Sequence, residues 1–190
     1  MASFGGVIPV LSLNLGFLGN VSRMGERVIA ARQVLPTTAN PLNFGDSVVI
    51  VPDSTGGTYQ SVKDFIVGGG TFTAPRFAGI VCRNVKTNLI YVGLGNVQTP
   101  QIGQFAPGQM AEALERGSIT VKINNGTPVS QGPVYLRILV NAGIPAGVVG
   151  GLEAVADGTN TVVLVGVVFR TGVLDANGVA EITILSRTAA

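Results

Sequence analysis

The sequence contains no histidine, no tryptophan, one cysteine and only 12 % charged residues, about half the usual ~25 %. Each absence removes a class of function. Without histidine there is no Ser-His-Asp or Cys-His nucleophile, no imidazole for proton transfer near neutral pH and no imidazole metal ligand. The single Cys82 excludes a disulfide scaffold and a thiolate zinc site within one chain. What remains is a set of ten carboxylates, no two at a familiar catalytic spacing. No enzyme activity, cofactor or metal is therefore expected. The twelve basic residues are scattered singly and the formal net charge is +2, which argues against a nucleic-acid partner.

Long apolar runs are missing too. Residues 1–22 carry no charged side chain, but Pro9, Asn14 and four glycines interrupt them. No basic residue precedes the apolar part and no small-x-small cleavage pattern follows, so the stretch reads as mature protein rather than a signal peptide. Ile138 to Leu152 is uncharged for only 15 residues, short of the ~20 a spanning helix needs. A soluble chain, made inside the cell and with no membrane partner, is expected.

What is present points to a folded, sticky surface. Hydrophobic residues are 46 % and mean hydropathy is +0.49, which excludes intrinsic disorder. Glycine is 27 of 190, about twice the usual ~7 %. A folded monomer of this size exposes roughly 8,500 Å². The charged residues then average one per roughly 390 Å², comparable to the largest apolar patch on ordinary monomers. Such a surface suits burial against copies of itself or against another protein.

From Gly45 onward the hydrophobic period is two. Ile119, Val121 and Ile123 alternate with polar neighbours, as do Val134, Leu136 and Ile138, and Ile182 and Ile184, the pattern of half-buried strands. Ser47–Val51, Phe77–Arg83 and Thr161–Arg170 are β-branched runs and also read as strands. Thr161–Arg170 is nearly all apolar, which predicts a central strand buried on both faces. Asn125-Gly126 and Asp175-Ala176-Asn177-Gly178 supply turns, and Gly68-Gly69-Gly70 a loop. Strands at this spacing, without intervening helices, predict an antiparallel sandwich or barrel. Pro107 to Arg116 dissents, because its residues favour helix. Residues 1–43, broken by glycines and prolines, read either as an N-terminal arm or irregular edge segment, or as the first strand and loop of the domain at 44–190.

Other motifs have plain readings. Asp53-Ser54-Thr55-Gly56-Gly57 is similar to the Asp-Thr-Gly loop of aspartic proteases, but the intervening serine spoils the match, and a polar turn is expected. Asn20 and Asn125 head formal glycosylation sequons with no export signal to use them. Cys82 lies in an apolar strand and is expected to be a small buried hydrophobe.

Several pieces acquire meaning together: Phe44-Gly45-Asp46-Ser47-Val48-Val49, Phe77-Ala78-Gly79-Ile80-Val81-Cys82-Arg83, Phe105-Ala106-Pro107-Gly108-Gln109, the run from Leu114 to Val121, Gly132-Pro133-Val134-Tyr135 and Val165-Gly166-Val167-Val168. In this order and spacing, over roughly residues 40–187, they resemble the small capsid cement, or decoration, proteins of tailed bacteriophages. The resemblance implies an all-β, barrel-like protein without catalysis. It implies a homotrimer bound to the major capsid protein on the outer surface of an icosahedral virion, cementing the shell against internal DNA pressure after synthesis in the bacterial host cytoplasm. It also implies strand over Gly108–Arg116, against local propensity. Contact residues are sought in the arm, at Phe17, Leu18, Arg23, Arg27 and Arg32. The alternative is another virion subunit, of a tail tube or head–tail joint.

Overall fold

The computed structural model describes residues 15–23, 25–54, 56–83 and 103–186. In chain order the elements are β1 (Val28–Gln33), β2 (Leu42–Asn43), β3 (Ser47–Val51), β4 (Thr58–Ser61), α1 (Val62–Val67), β5 (Phe77–Val81), β6 (Gln104–Phe105), β7 (Met110–Lys122), β8 (Pro133–Arg137), β9 (Leu152–Glu153), β10 (Thr161–Phe169) and β11 (Val179–Ile184). Among the described residues, nine strands form one sheet in the order β4-β3-β5-β7-β11-β10-β8-β9, with β1 also on β7, while β2 pairs with β6. All pairings between these strands are antiparallel. The sheet curls into a half-barrel. Isolated parallel bridges draw its two ends back, Val34 to Tyr59 beside β4 and Ile123 to Leu152 beside β9.

Two cores lie on opposite faces of the strands in the middle. Phe77 and Ile80 of β5 and Leu114, Ile119 and Val121 of β7 enter the larger core. Ala78 and Val81 of β5 and Ala111 and Ala113 of β7 enter the smaller one, with Val34, Leu42, Tyr59 and Phe105. That double duty is why β5 reads as an unbroken apolar run. Gly79 sits where the β3–β5 register shifts, with φ of +147°, and a side chain there would strike the Leu114 carbonyl. The expected all-β antiparallel fold is therefore observed. Met110–Lys122 is strand throughout: the partners on either side outweigh the helix preference of its first residues.

Other expectations are corrected or extended. β10 is not buried on both faces. Leu164, Val167 and Phe169 point into the core, but Val163 and Val165 are 44 % and 61 % exposed. The sequence reading also missed α1, which Ser61 caps by accepting the Asp64 amide at 3.0 Å. Of the stretch at 1–43, β1 lies in the main sheet and Val34 and Leu42 are fully buried. The first fourteen residues, part of the expected arm, lie outside the described residues.

One buried ion pair stands against the apolar pattern. Arg137 of β8 and Glu153 of β9 have fully buried side chains. The guanidinium donates Nε to Glu153 Oε1, Nη2 to Glu153 Oε2 at 2.9 Å and Nη1 to Asp157 Oδ2 at 2.8 Å. Asn141 and Asn160 donate to Asp157 as well, so the uncharged loop after β8 is tied down through this carboxylate. Gly147 packs where a side chain would collide with the guanidinium. Truncating one member leaves a buried charge unpaired. Arg137→Met is expected to destabilise the fold by about 3–5 kcal/mol, and adding Glu153→Leu to recover much of that loss. Urea unfolding of both variants measures the difference.

Candidate partner-binding surface

Residues 15–23 run along β7 as if they were an added strand. Gly19 donates to the Thr120 carbonyl at 2.8 Å, Thr120 to Asn20 at 3.0 Å and Ser22 to Ser118 at 3.0 Å. Only glycine fits at 19. Its φ is +74°, and a side chain would meet the Val81 carbonyl and the Arg83 and Gly45 amides. The far end of this segment is fastened by Glu181 of β11, whose side chain is almost wholly buried. Ser22 Oγ donates to Glu181 Oε1 at 2.7 Å, and Arg23 donates Nε at 2.8 Å and Nη2 at 3.3 Å. Burial pushes the Glu181 carboxyl up, but the Arg23 and Ser22 bonds outweigh it and hold its pKa below the ordinary glutamate value.

The structure spreads the five sequence candidates over three places. Phe17 is 64 % exposed, with the Arg83 guanidinium 4.1 Å from its ring centroid. Leu18 is half-buried against Gly45. Arg23 is occupied by Glu181, and Arg27 is exposed beside Gly117. Arg32 lies where β1 meets β4, donating to the Gly56 carbonyl at 2.8 Å with its guanidinium 6.0 Å from the Tyr59 centroid.

Three features escaped the sequence reading. The first is an apolar strip on the outer face: Val163 and Val165 of β10, with Leu185 just beyond β11 at 55 % exposure. Leu185 donates its amide to the Gly166 carbonyl at 2.7 Å, which places it next to the strip. The second is a cleft of about 420 Å³ of mixed character, lined by Asp46, Lys63, Asp64 and Lys122 as well as by Val148 and Leu152. Burial raises the Asp46 pKa there, partly offset by hydrogen bonds from Asn43. The third is a groove of about 250 Å³ whose lining includes Arg23, Arg116 and Arg170. No pattern of spacing predicts these, because each joins residues far apart in the chain.

Cys82 is buried, and its pKa is pushed up to about 12 by desolvation and then by the Glu112 charge, so it stays a thiol. Among the described residues no three His, Cys, Asp or Glu side chains are grouped to hold a metal ion. No helix there is long and apolar enough to cross a membrane.

The Glu181 clasp has a pH signature. Because its folded pKa lies below the unfolded one, its stabilisation is complete above the unfolded value near 4.5 and is lost as pH falls through the folded value. Acidification below about pH 4.5 is expected to loosen residues 15–23, and Glu181→Gln to remove that part of the acid dependence. Amide hydrogen exchange of Gly19 and Ser22 against pH, in both proteins, checks this.

Comparison with known proteins follows the same lines. The family model of the XM1 gp53 minor capsid protein matches residues 7–184. A chain in the solved structure "The capsid of Myoviridae Phage XM1" superposes with a TM-score of 0.58 at 21 % identity, over 97 % of this chain and 98 % of that one. At that identity the likeness speaks for the fold alone. A search of curated proteins gives no match. The family match spans nearly the whole chain, the curled β-sheet included: the protein belongs to the XM1 gp53 minor capsid protein family of phage capsid-associated proteins.

Proposed function

We propose that the protein is a capsid cement: a homotrimer that binds the major capsid protein on the outer surface of an icosahedral shell and holds it against internal DNA pressure. The observation that carries this reading is the apolar strip of Val163, Val165 and Leu185, exposed on a strand in the body of the sheet. Burying apolar area yields roughly 25 cal/mol per Å², so a folded chain keeps such a strip in water only at a cost that association removes. A second copy of the chain is the proposed cover. The segment ahead of β1, laid along its own sheet, is the proposed contact surface for the shell subunit, with Phe17, Leu18, Arg23, Arg27 and, on β1 itself, Arg32 as its contact residues. Neither nucleic acid nor membrane is a partner.

Cementing then follows from linkage of contacts. Once one arm of a trimer binds, the others bind as intramolecular events, so modest contacts add up to firm attachment. Each attached trimer joins subunits that internal pressure would separate.

The purified chain is expected to scatter light as a particle near three times 19.4 kDa. Val165→Asp is expected to give a folded monomer with weaker shell binding, read by light scattering, circular dichroism and co-sedimentation with shells. Added wild-type protein is expected to raise the temperature at which shells burst. Rings or tubes formed by the protein alone would instead support a tail or joining subunit, and unchanged burst temperature would remove the cementing role.

A further inference from the structure

The arginines that lie scattered in the sequence are gathered by the fold. Arg23, Arg116 and Arg170 line the 250 Å³ groove together with Glu26 and Leu185. Arg27 stands beside it, its Cα and Cβ filling the space that a side chain at Gly117 would need. Arg23 is paired with Glu181 at 2.8 Å and Arg116 with Glu26 at 2.9 Å. Among the described residues Arg27 and Arg170 make no direct ion pair, although the Arg170 charge helps Arg23 to hold Glu181 ionised. Four guanidiniums against two carboxylates leave an excess that equals the formal net charge of the whole chain, +2.

In a second copy the carboxylates outside the groove keep their charge but are held in place by donors of their own chain, as Asp64 is by Thr38 and Asn40, Asp53 by the Gly57 amide and Asp175 by the Asn177 and Val179 amides. A guanidinium takes a carboxylate in two parallel hydrogen bonds, and Leu185 offers an apolar contact at the same rim.

We propose that this groove docks an acidic segment of the shell subunit, its carboxylates paired with Arg27 and Arg170 and an apolar side chain resting on Leu185. The proposal rests on the capsid-binding reading above for the source of the segment. Its chemistry is tested separately from that source. Fluorescein-labelled hexaglutamate and hexaglutamine are titrated with the full-length protein at low and high ionic strength, following anisotropy. The same protein is co-sedimented with shells assembled without it, and circular dichroism confirms that each variant is folded.

Hexaglutamate is expected to bind and hexaglutamine not, with affinity falling as salt rises. Arg27→Glu and Arg170→Glu are each expected to weaken hexaglutamate binding at least about tenfold and to weaken shell binding in parallel. Arg76→Glu makes the same change in net charge away from the groove and is expected to leave both intact. Hexaglutamate binding that is absent, that survives Arg170→Glu, or that is equally lost in Arg76→Glu overturns the groove, while wild-type sedimentation with shells leaves the capsid reading standing. Hexaglutamate binding without shell binding overturns the shell as partner and keeps the groove as a site for acidic peptide. Tighter binding of a single-stranded oligothymidine, lost in the same variants, overturns the protein partner in favour of nucleic acid.

Discussion

Strand β7 hydrogen-bonds to β1 and β5 along its first half and to β11 along its second. The changeover falls between Arg116, the last residue paired with β1, and Gly117, the first paired with β11. Gly117 has φ of +124°, and a side chain there would press on Arg27 and Leu114. The curl of the sheet, the division into two cores and the course of residues 15–23 all refer to this one strand. Its alternation is set by that role: small Ala111 and Ala113 face the tight core, and Leu114, Ile119 and Val121 the larger one. Thr120 and Ser118 accept the added N-terminal strand through their carbonyls. A helix over Met110–Arg116 would satisfy local preference and leave β1 without a partner.

Where a residue's fate depends on alternation, it was legible. Ile119, Val121, Ile182 and Ile184 go inward as their period requires, and the turn at Asp175 closes as its residue types demand, with Asp175 Oδ1 taking the Asn177 and Val179 amides. The fold class followed from such positions. Where a residue's fate depends on what lies across the sheet, it was not legible. Val163 and Val165 have the same chemistry as Val167, and they are exposed because no layer of the described residues covers them. Arg137 looks like the polar partner in an alternating strand, yet Glu153 and Asp157, distant in sequence, make its burial tolerable. α1 carried a signal that could have been used: a serine followed three residues later by aspartate, ahead of apolar residues and a run of glycines.

The candidate surface was half legible for the same reason. Composition foretold a molecule short of charge, and the structure shows how the few charges are spent: carboxylates are engaged in turn closure, side-chain hydrogen bonds and ion pairs. Arg23, read as a partner contact, also holds the N-terminal segment on the sheet through Glu181. Arg116 and Arg170 drew no attention in the sequence because nothing there sets them near Arg23. Their convergence is a product of β7, β10 and the N-terminal segment meeting at one rim.

Low charge and internal pairing together bear on how such a protein would bind. Carboxylates fixed by hydrogen bonds of their own chain keep their charge but not their freedom to move, so the outer face presents an apolar strip and, at the groove, two more guanidiniums than carboxylates. Apolar contact gives attraction without fixed direction, whereas guanidinium–carboxylate pairing depends on alignment and suppresses wrong partners. On the proposed function the two would divide the work, the strip joining copies to each other and the groove selecting the orientation in which the assembly meets the shell. The division explains why the apolar strip and the arginines occupy adjoining but distinct patches: mixed into one patch, each arginine would have to be desolvated when the copies associate, at a cost of several kcal/mol per unpaired ion. Leu185, at the boundary of both, is the position where the two contacts would meet.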